Sequence, residues 1–457
     1  MDRQERIERI EVLARELDFL HLDDHYRLVY RYDATGVRGR CGGVALPRNI
    51  DELLHVSERS LELGIPLFAR GAGTGFSGGA IPEEEGIVVS TECLNRILRF
   101  DPEREEVEVE SGVVNQDLQD HLAPMGYFYP PDPASLKSST IGGNIAENAG
   151  GPRAYRYGVT RRYVRSLTWI APGRGLVVSP PEAVSALLIG SEGTLGLLYA
   201  ARLSVLPLPR SRSTSILEVA GEEEAIAFAL HLMSSGLAPS VIEYIDGRTM
   251  RCVGEYKRLE GLGVGAGYLF IEVDGSGGEV DEQTRLLERL CSQEDVGIRV
   301  ARSEDEREFM WELRRAISPS LARRGVTKVN EDISLPLGML GEAVAFIHRL
   351  ADELSLDCYI FGHCGDGNLH VNIMTDRRRT EEMERVERFV EKLFRRAVAL
   401  GGTLSGEHGI GITKSRYLGY RYSPEELSLQ RRVKSAIDPR HLVNPGKYFS
   451  RGQDACS

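Results

Sequence analysis

Residues 362–370, GHCGDGNLH, bring two histidines, a cysteine and an aspartate into one short stretch. Those residue types suit a metal centre, a cysteine nucleophile, a phosphate loop, or a tight turn with no chemistry. The runs DCYIFGH and NLHVNIM on either side read as strands. Between them Asp366-Gly367 tolerates the positive φ angles of a two-residue hairpin turn. That register predicts His363 opposite His370 and Phe361 opposite Asn372. Opposed Cβ atoms lie about 4.5–5.5 Å apart, close enough for both imidazoles to share one ion. Asn368, His370 and Asn372 then share a face, while Cys364 points to the other and reads as a small buried hydrophobe with no base beside it. A second motif, GGTLSGEHGIG at 401–411, sets Glu407 and His408 among glycines that permit close backbone approach. Glu407 with the two imidazoles would suit zinc, or a similar divalent ion, and leave coordination positions for substrate. Read alone, the histidine pair more often belongs to a plain hairpin, and the second motif serves equally well as a glycine-rich turn.

Three further stretches are rich in small residues. Gly73-x-Gly75-x-x-Gly78 follows the strand IPLFAR and matches the dinucleotide pattern G-x-G-x-x-G. A Rossmann site needs a helix opening from that loop. Here GGAIPEEEG follows, and Pro82 leaves no room for one, so the Rossmann reading fails. What remains is a loop whose backbone N–H groups can form an anion nest. SSTIGGNIAENAGG (138–151) and GSEGTLG (190–196) have the same character. Three stretches able to press backbone amides against a ligand imply a large polyanionic cofactor, which FAD fits.

These residues need a scaffold, and 457 of them suffice for two or more domains with substantial cores. Hydrophobic content of 42% and 49 glycines fit an α/β or α+β globular protein, and the net charge of −12 argues against non-specific nucleic-acid binding. No uncharged apolar run approaches membrane-spanning length. The charged amphipathic N-terminus resembles no targeting peptide. Seven cysteines without a C-x-x-C pair disfavour an iron–sulfur cluster or a zinc ribbon and suit a reducing compartment, so cytoplasm is the expectation. Residues 51–63 predict a helix with Asp51 as N-cap and Gly64 beyond its end. PLPRSRSTS (207–215) reads as a hinge, after which helix and strand patterns restart as a second α+β domain. Residues 379–401 predict a long amphipathic helix.

Together RGAGTGFSGGA, PDPASLKSSTIGGNIAENAGG, YGVTRRYV, GSEGTLG, GHCGDGNLHVN, SGEHGIG and NPGK resemble the FAD-linked D-2-hydroxyacid dehydrogenases. That group includes D-lactate dehydrogenases, the large subunit of glycolate oxidase and D-2-hydroxyglutarate dehydrogenase, within the vanillyl-alcohol-oxidase flavoprotein superfamily. The resemblance runs in order from about residue 40 to 449. It implies an α+β fold: a bipartite FAD-binding domain (1–210 with a C-terminal return, 411–457) and an inserted α+β cap domain for substrate and metal (211–410). It implies that Arg70, Gly71, Ala72, Gly73, Thr74, Gly75, Ser77 and Gly78 cradle the pyrophosphate. Pro131, Asp132, Ser139, Thr140, Gly142, Gly143, Asn144, Gly150, Glu192, Gly193 and Leu197 would line the rest of the cofactor. Members with covalent flavin usually carry a histidine in the first glycine loop; this loop has none, so dissociable FAD is expected. The resemblance also assigns the metal to His363, His370 and Glu407, the general base to His408, the substrate-carboxylate clamp to Arg314, and further substrate contacts to Ser318 and Asn372.

Two departures stand out. Between APGRG and GSEGTLG the family usually has a longer stretch; this chain has only LVVSPPEAVSALLI (176–189), which puts part of the flavin wall in question. Where hydroxyglutarate dehydrogenases carry a lysine for the second carboxylate, this chain has Asn330, with Lys328 out of register. A lactate-like or glycolate-like monocarboxylate is therefore favoured over a dicarboxylate. The expected reaction is metal-assisted oxidation of a D-2-hydroxy acid to the 2-oxo acid, with hydride passing to flavin. The ion is expected to be zinc, with manganese or iron as the other options. An electron-transfer flavoprotein, a quinone or an iron–sulfur partner would accept the electrons, and homodimerisation stays open. Two other readings remain: a non-redox FAD transferase resembling alkylglycerone-phosphate synthase, and a FAD-binding, non-catalytic subunit of an oxidase complex.

Overall fold

The computed structural model describes residues 2–180, 184–260, 262 and 266–449. Cys456 and residues 181–183 of the shortened stretch lie outside them. The chain divides into two compact units: 1–149, 159–208 and 407–457 form the first, and 150–158 with 209–406 form the second. The family resemblance places these boundaries at 210/211 and 410/411 and assigns 150–158 to the first unit.

The first unit holds two main sheets. β1 (Leu20–His21), β2 (Gly43–Ala45), β3 (Leu67–Arg70) and β4 (Ile87–Ser90) run in the order β1-β2-β4-β3, with the β2–β4 and β3–β4 pairs parallel. β5 (Ile97–Asp101), β6 (Glu106–Glu110), β8 (Val164–Ala171), β9 (Gly175–Ser179) and β10 (Leu197–Ser204) form an antiparallel sheet, order β5-β6-β10-β8-β9; β7 (Tyr127–Phe128) pairs with β11 (Leu206–Pro207). Parallel strands need a crossover, and the helix Ile50–Leu63 supplies one between β2 and β3. It buries Leu53, Val56, Ser57, Ser60 and Leu61, one face at helical spacing, into a core with Leu67, Ile87 and Val89. Its N-cap is Asn49, which accepts from the Glu52 N–H at 3.0 Å, and not Asp51, which sits in the first turn. Gly64 closes it at φ 71°, a left-handed conformation that costs glycine little. No helix opens between β3 and β4, as Pro82 requires.

The second unit is built on a seven-stranded antiparallel sheet. Its strands are β12 (Ser211–Val219), β13 (Val241–Ile245), β14 (Gly267–Gly275), β15 (Gly297–Val300), β16 (Thr327–Ser334), β17 (Asp357–Gly362) and β18 (Asn368–Thr375), in the order β15-β12-β14-β13-β17-β18-β16. The hinge is shorter than the sequence suggests. Serines 211, 213 and 215 read as loop, yet nine consecutive residues of β12 pair with β14, which holds the polar run extended. The helix Thr380–Ala399 buries Val386, Phe389, Val390, Leu393 and Phe394 along one face. The six described cysteines are free thiols, and no helix among the described residues is long and apolar enough to cross a membrane.

The β17–β18 hairpin departs from the predicted register. Phe361, not His363, faces His370, and Tyr359 faces Asn372. A type I′ turn needs positive φ at both central residues. Only Gly367 has it, at 82°, whereas Asp366 does not. The chain instead makes a longer loop, 363–367, in which the His363 carbonyl accepts from the N–H groups of Asp366 and Asn368. Gly362 lets the strands close at its mouth: a Cβ there would stand 2.3 Å from the Asn368 carbonyl oxygen.

Candidate active site

A cleft of about 1440 Å³, counting its open mouth, lies in the first unit. Its lining draws on all three glycine-rich stretches, which suits an extended cofactor. Of the residues expected around FAD, Arg70, Gly71, Ala72, Gly73, Thr74, Gly75, Ser139, Thr140, Gly142, Gly143, Asn144, Glu192, Gly193 and Leu197 line it, as do Glu407 and His408. The glycines matter by what they permit. A Cβ on Gly71 would meet Thr140 Oγ1 at 2.3 Å, and one on Gly142 would meet the Ser111 carbonyl oxygen at 2.8 Å, so the two loops pack backbone to neighbour. A Cβ on Gly75 would meet nothing within 4 Å. Bare backbone thus faces open cleft, a cradle that fits a phosphate-bearing cofactor.

Other expected residues sit elsewhere. Pro131 and Asp132 do not line this cleft, and Gly150 falls in the second unit. Ser77 and Gly78 do not line it either; they brace the loop that carries His408. The Ser77 carbonyl accepts from Ile412 N–H at 2.9 Å, and a Cβ on Gly78 would strike Ile412 Cγ1 at 2.5 Å. Glu192 braces the same loop, its two oxygens accepting from Ile410 and Gly411 N–H at 2.7 and 2.6 Å. Burial raises the Glu192 carboxyl above its ordinary range, against the pull of those N–H groups. His408 itself packs on Phe76, ring centroids 5.3 Å apart. Sequence reading missed Asp33 and Ser111, which line the cleft without sharing a motif, and Glu147, which lies within the 138–151 stretch.

The second unit assembles a different set. His363 and His370 are both buried, with ring centroids 5.2 Å apart and planes at 88°. They meet although the register differs from that expected, because His363 lies in the loop and reaches across the hairpin mouth. His363 Nδ1 is bonded to Oε1 of Glu243. Glu243 Oε2 accepts from Arg314 Nε at 2.6 Å and pairs with Nη2 at 2.5 Å. Burial pushes the Glu243 carboxyl up, and Arg314 and His363 overcome that, leaving it at about 2. The Arg314 guanidinium also lies 5.0 Å over the Phe361 ring, which in turn packs at 5.3 Å from His370. Arg314 ends the helix Glu304–Arg315, so one side chain reaches from helix to sheet. With Nδ1 engaged, Nε2 is the His363 nitrogen that can ligate an ion, and two buried imidazoles suit a borderline divalent cation.

Asn372 is buried and accepts from Asn330 Nδ2 at 2.7 Å. Ser318 is exposed on the helix Ile317–Leu321. Cys364 is buried, its thiol raised by burial and donating to the Ile242 carbonyl, which fits the apolar reading. Glu243 was missed. Its signal was there in the sequence: one acid inside the otherwise apolar strand Val-Ile-Glu-Tyr-Ile, and a buried charge must be paired. A second group, Glu222, Asp246 and His348, brings ligand-type atoms within 4.8 Å of one another. Asp246 there already caps Thr249 N–H at 2.7 Å and accepts from Ile360 N–H at 2.8 Å.

Residues 42–179 match the model of a FAD binding domain, and residues 208–448 match that of FAD linked oxidases, C-terminal domain. The glycolate oxidase subunit GlcD of Bacillus subtilis is 35% identical over 436 residues, covering 93% of each chain. A D-lactate dehydrogenase of Anaerostipes hadrus is 33% identical, covering 92% of each. Among solved structures, p-cresol methylhydroxylase with substrate bound superposes at a TM-score of 0.81 with 14% identity, covering 100% of this chain and 99% of that one. An alkyldihydroxyacetonephosphate synthase superposes at 0.74 with 16% identity, covering 96% and 85%. Those two likenesses speak to the fold alone. The two domain matches and the full-length relatives establish that this chain belongs to the FAD-linked oxidase family, a FAD-linked oxidoreductase of the glycolate oxidase and D-lactate dehydrogenase type with a vanillyl-alcohol-oxidase-type fold.

Proposed function

We infer that the protein oxidises a small D-2-hydroxy monocarboxylate, lactate-like or glycolate-like, to its 2-oxo acid. The observation that carries this reading is the buried pair His363 and His370 with the partly buried Arg314, gathered in the second unit around Glu243. When bound, FAD supplies the two-electron acceptor and a divalent ion, zinc by its donor set, supplies Lewis acidity at the substrate hydroxyl. The first unit holds FAD non-covalently through the bare backbone at Gly71–Gly75 and the stretches around Thr140 and Glu192. His363 and His370 are two ligands of the ion, and Glu407 is the third in this reading.

The substrate carboxylate goes to Arg314. Its Nε and Nη2 face Glu243, and Nη1 makes no hydrogen bond among the described residues, so the guanidinium keeps donors for an acid. His408 takes the hydroxyl proton on a ring nitrogen, the usual task of an imidazole near neutral pH. Phe361 packs against both the Arg314 clamp and His370. Asn330, bonded to Asn372, offers an amide where a second carboxylate would need a cation, which favours monocarboxylates. Electrons leave by way of a partner such as an electron-transfer flavoprotein, a quinone or an iron–sulfur protein, in keeping with a relative whose name describes a subunit.

The test is anaerobic absorbance of the FAD-loaded protein mixed with D-lactate, L-lactate, glycolate and D-2-hydroxyglutarate, before and after chelation. Bleaching of the oxidised-flavin band by a D-monocarboxylate or glycolate, abolished by chelation and restored by zinc, is the expected result. Bound flavin that none of the four acids bleaches would overturn the reading and turn attention to a transferase or a non-catalytic subunit.

A further inference from the structure

We propose that Glu243 is a positioning residue that ties metal ligation to substrate-carboxylate binding, one carboxylate serving both. The inference rests on the reading above, in which His363 ligates the ion and Arg314 holds the substrate.

Three features single out this glutamate. It is fully buried in the middle of β13, a strand whose every side chain is buried, so its charge has no solvent to fall back on. Its two oxygens are divided between two clients: Oε1 bonds His363 Nδ1, and Oε2 takes both Arg314 bonds. The clients come from separate elements, a hairpin loop and a helix end, which besides this meet through Arg314 stacked over Phe361. Glu243 sets their spacing from the rigid sheet between them.

The consequence for His363 is chemical. A carboxylate at Nδ1 requires the proton there, which fixes the tautomer with the Nε2 lone pair available to a cation and raises its basicity. The consequence for Arg314 is geometric. A guanidinium held through Nε and Nη2 cannot swing, so its remaining donors keep one direction. Because both effects flow through one side chain, a change at Glu243 reaches the ion and the acid together, although Glu243 lies against neither in this reading. Substituting Gln shows why the carboxylate is needed. Gln has one acceptor oxygen and one NH2 group. If the oxygen serves Arg314, the NH2 faces His363 Nδ1 and forces the opposite tautomer, with the proton on Nε2. If it serves His363, the NH2 confronts the guanidinium.

The experiment uses full-length FAD-loaded protein stripped of metal, titrated with Zn²⁺ against a chelating dye, followed by steady-state kinetics on whichever acid bleaches the flavin. The variants are Glu243→Gln, Glu243→Asp and His363→Ala. Losing the partner of a ligating histidine typically costs about 10–100-fold in metal affinity. Glu243→Gln is expected to weaken Zn²⁺ by that factor and to raise KM at saturating Zn²⁺ by more than it lowers kcat. Glu243→Asp, which keeps the charge, is expected to recover part of both. Flavin content and circular dichroism identify any variant that has merely failed to fold, and should Glu243→Gln fail, Glu243→Asp against wild type carries the same comparison. If His363→Ala loses Zn²⁺ while Glu243→Gln binds it with wild-type affinity and KM, the positioning role is refuted and the metal reading stands. If His363→Ala itself keeps Zn²⁺, the metal reading falls, and the coupling with it.

Discussion

The packing of the two glycine loops leads to a prediction whose size can be worked from distances. Gly71 has an ordinary backbone conformation, so alanine meets no conformational barrier there; the obstacle is Thr140 Oγ1, 2.3 Å from the new Cβ and more than 1 Å inside ordinary contact. The clash has two ways out. Thr140 can rotate away, which breaks its N-cap bond from the Gly143 N–H (3.2 Å) and costs about 1 kcal/mol. Otherwise the two walls shift apart, at about 1–3 kcal/mol for overpacking. Gly71 and Thr140 both line the cleft, so either route distorts the cofactor cradle. At 1.4 kcal/mol per tenfold, Gly71→Ala should weaken FAD by roughly 5- to 100-fold. Thr140→Ala removes Oγ1 and leaves only Cβ, at 3.6 Å, an ordinary contact. In that background Gly71→Ala should cost less than about twofold, a large interaction term in the double-mutant cycle. Titrating apoprotein with FAD and following flavin fluorescence gives all four dissociation constants. Additive effects, with Gly71→Ala costing the same in both backgrounds, would refute the argument that loop-to-loop packing shapes the cradle.

Two further outcomes are expected. His408→Ala should keep its flavin, because the loop's anchors are Ser77, Glu192 and backbone groups, yet slow flavin reduction by at least about 100-fold, the lower range for a positioned base; stopped-flow reduction at wild-type rate would remove His408 from the chemistry. Burial pushes the Asp246 carboxyl up to about 6, against the pull of His348 and the Thr249 cap. An acid raised above its unfolded value of about 3.9 binds its proton more tightly when folded, so its contribution is full below pH 4 and is lost as pH rises to 6. About two units amount to roughly 3 kcal/mol, and Asp246→Asn should lack that slope in thermal unfolding between pH 4 and 6; an unchanged slope would mean another group is responsible.

The sequence made the flavin unit legible to the extent that local chemistry dictates it. A Cβ-free backbone after a strand, with Pro82 forbidding a helix, excludes a Rossmann turn on steric grounds alone, and the loop between β3 and β4 has no helix. Gly64 ends its helix where glycine should. The N-cap was misread because Asn49 and Asp51 are both competent caps, and only the backbone decides which leaves the helix first. Ser77 and Gly78 show a harder limit. Their motif points to phosphate, but their neighbours are Ile412 and Gly411, more than 300 residues away, and no spacing rule reaches that far. Asp33 and Ser111 arrive at the cleft the same way, by tertiary packing.

The histidine pair shows how a correct juxtaposition can follow from a wrong register. A two-residue turn requires positive φ at Asp366; Asp366 does not have it, and the strands pair two residues further back. Asn368, His370 and Asn372 share a face in any register because they alternate along one strand, and a slip of two, unlike a slip of one, also leaves that face on the same side of the sheet. The longer loop then returns His363 toward His370. Glu243 is the complement of this case. Its burial could be inferred from the apolar strand around it, and a buried carboxylate implies cationic partners, but the chain offers many arginines and ten histidines. Choosing Arg314 and His363 requires knowing that β13 lies beside β17 and that the helix Glu304–Arg315 ends over Phe361. Residue type therefore announces that a buried carboxylate needs partners, and strand order decides which residues these are by placing Glu243 between the Arg314 guanidinium and the His363 imidazole.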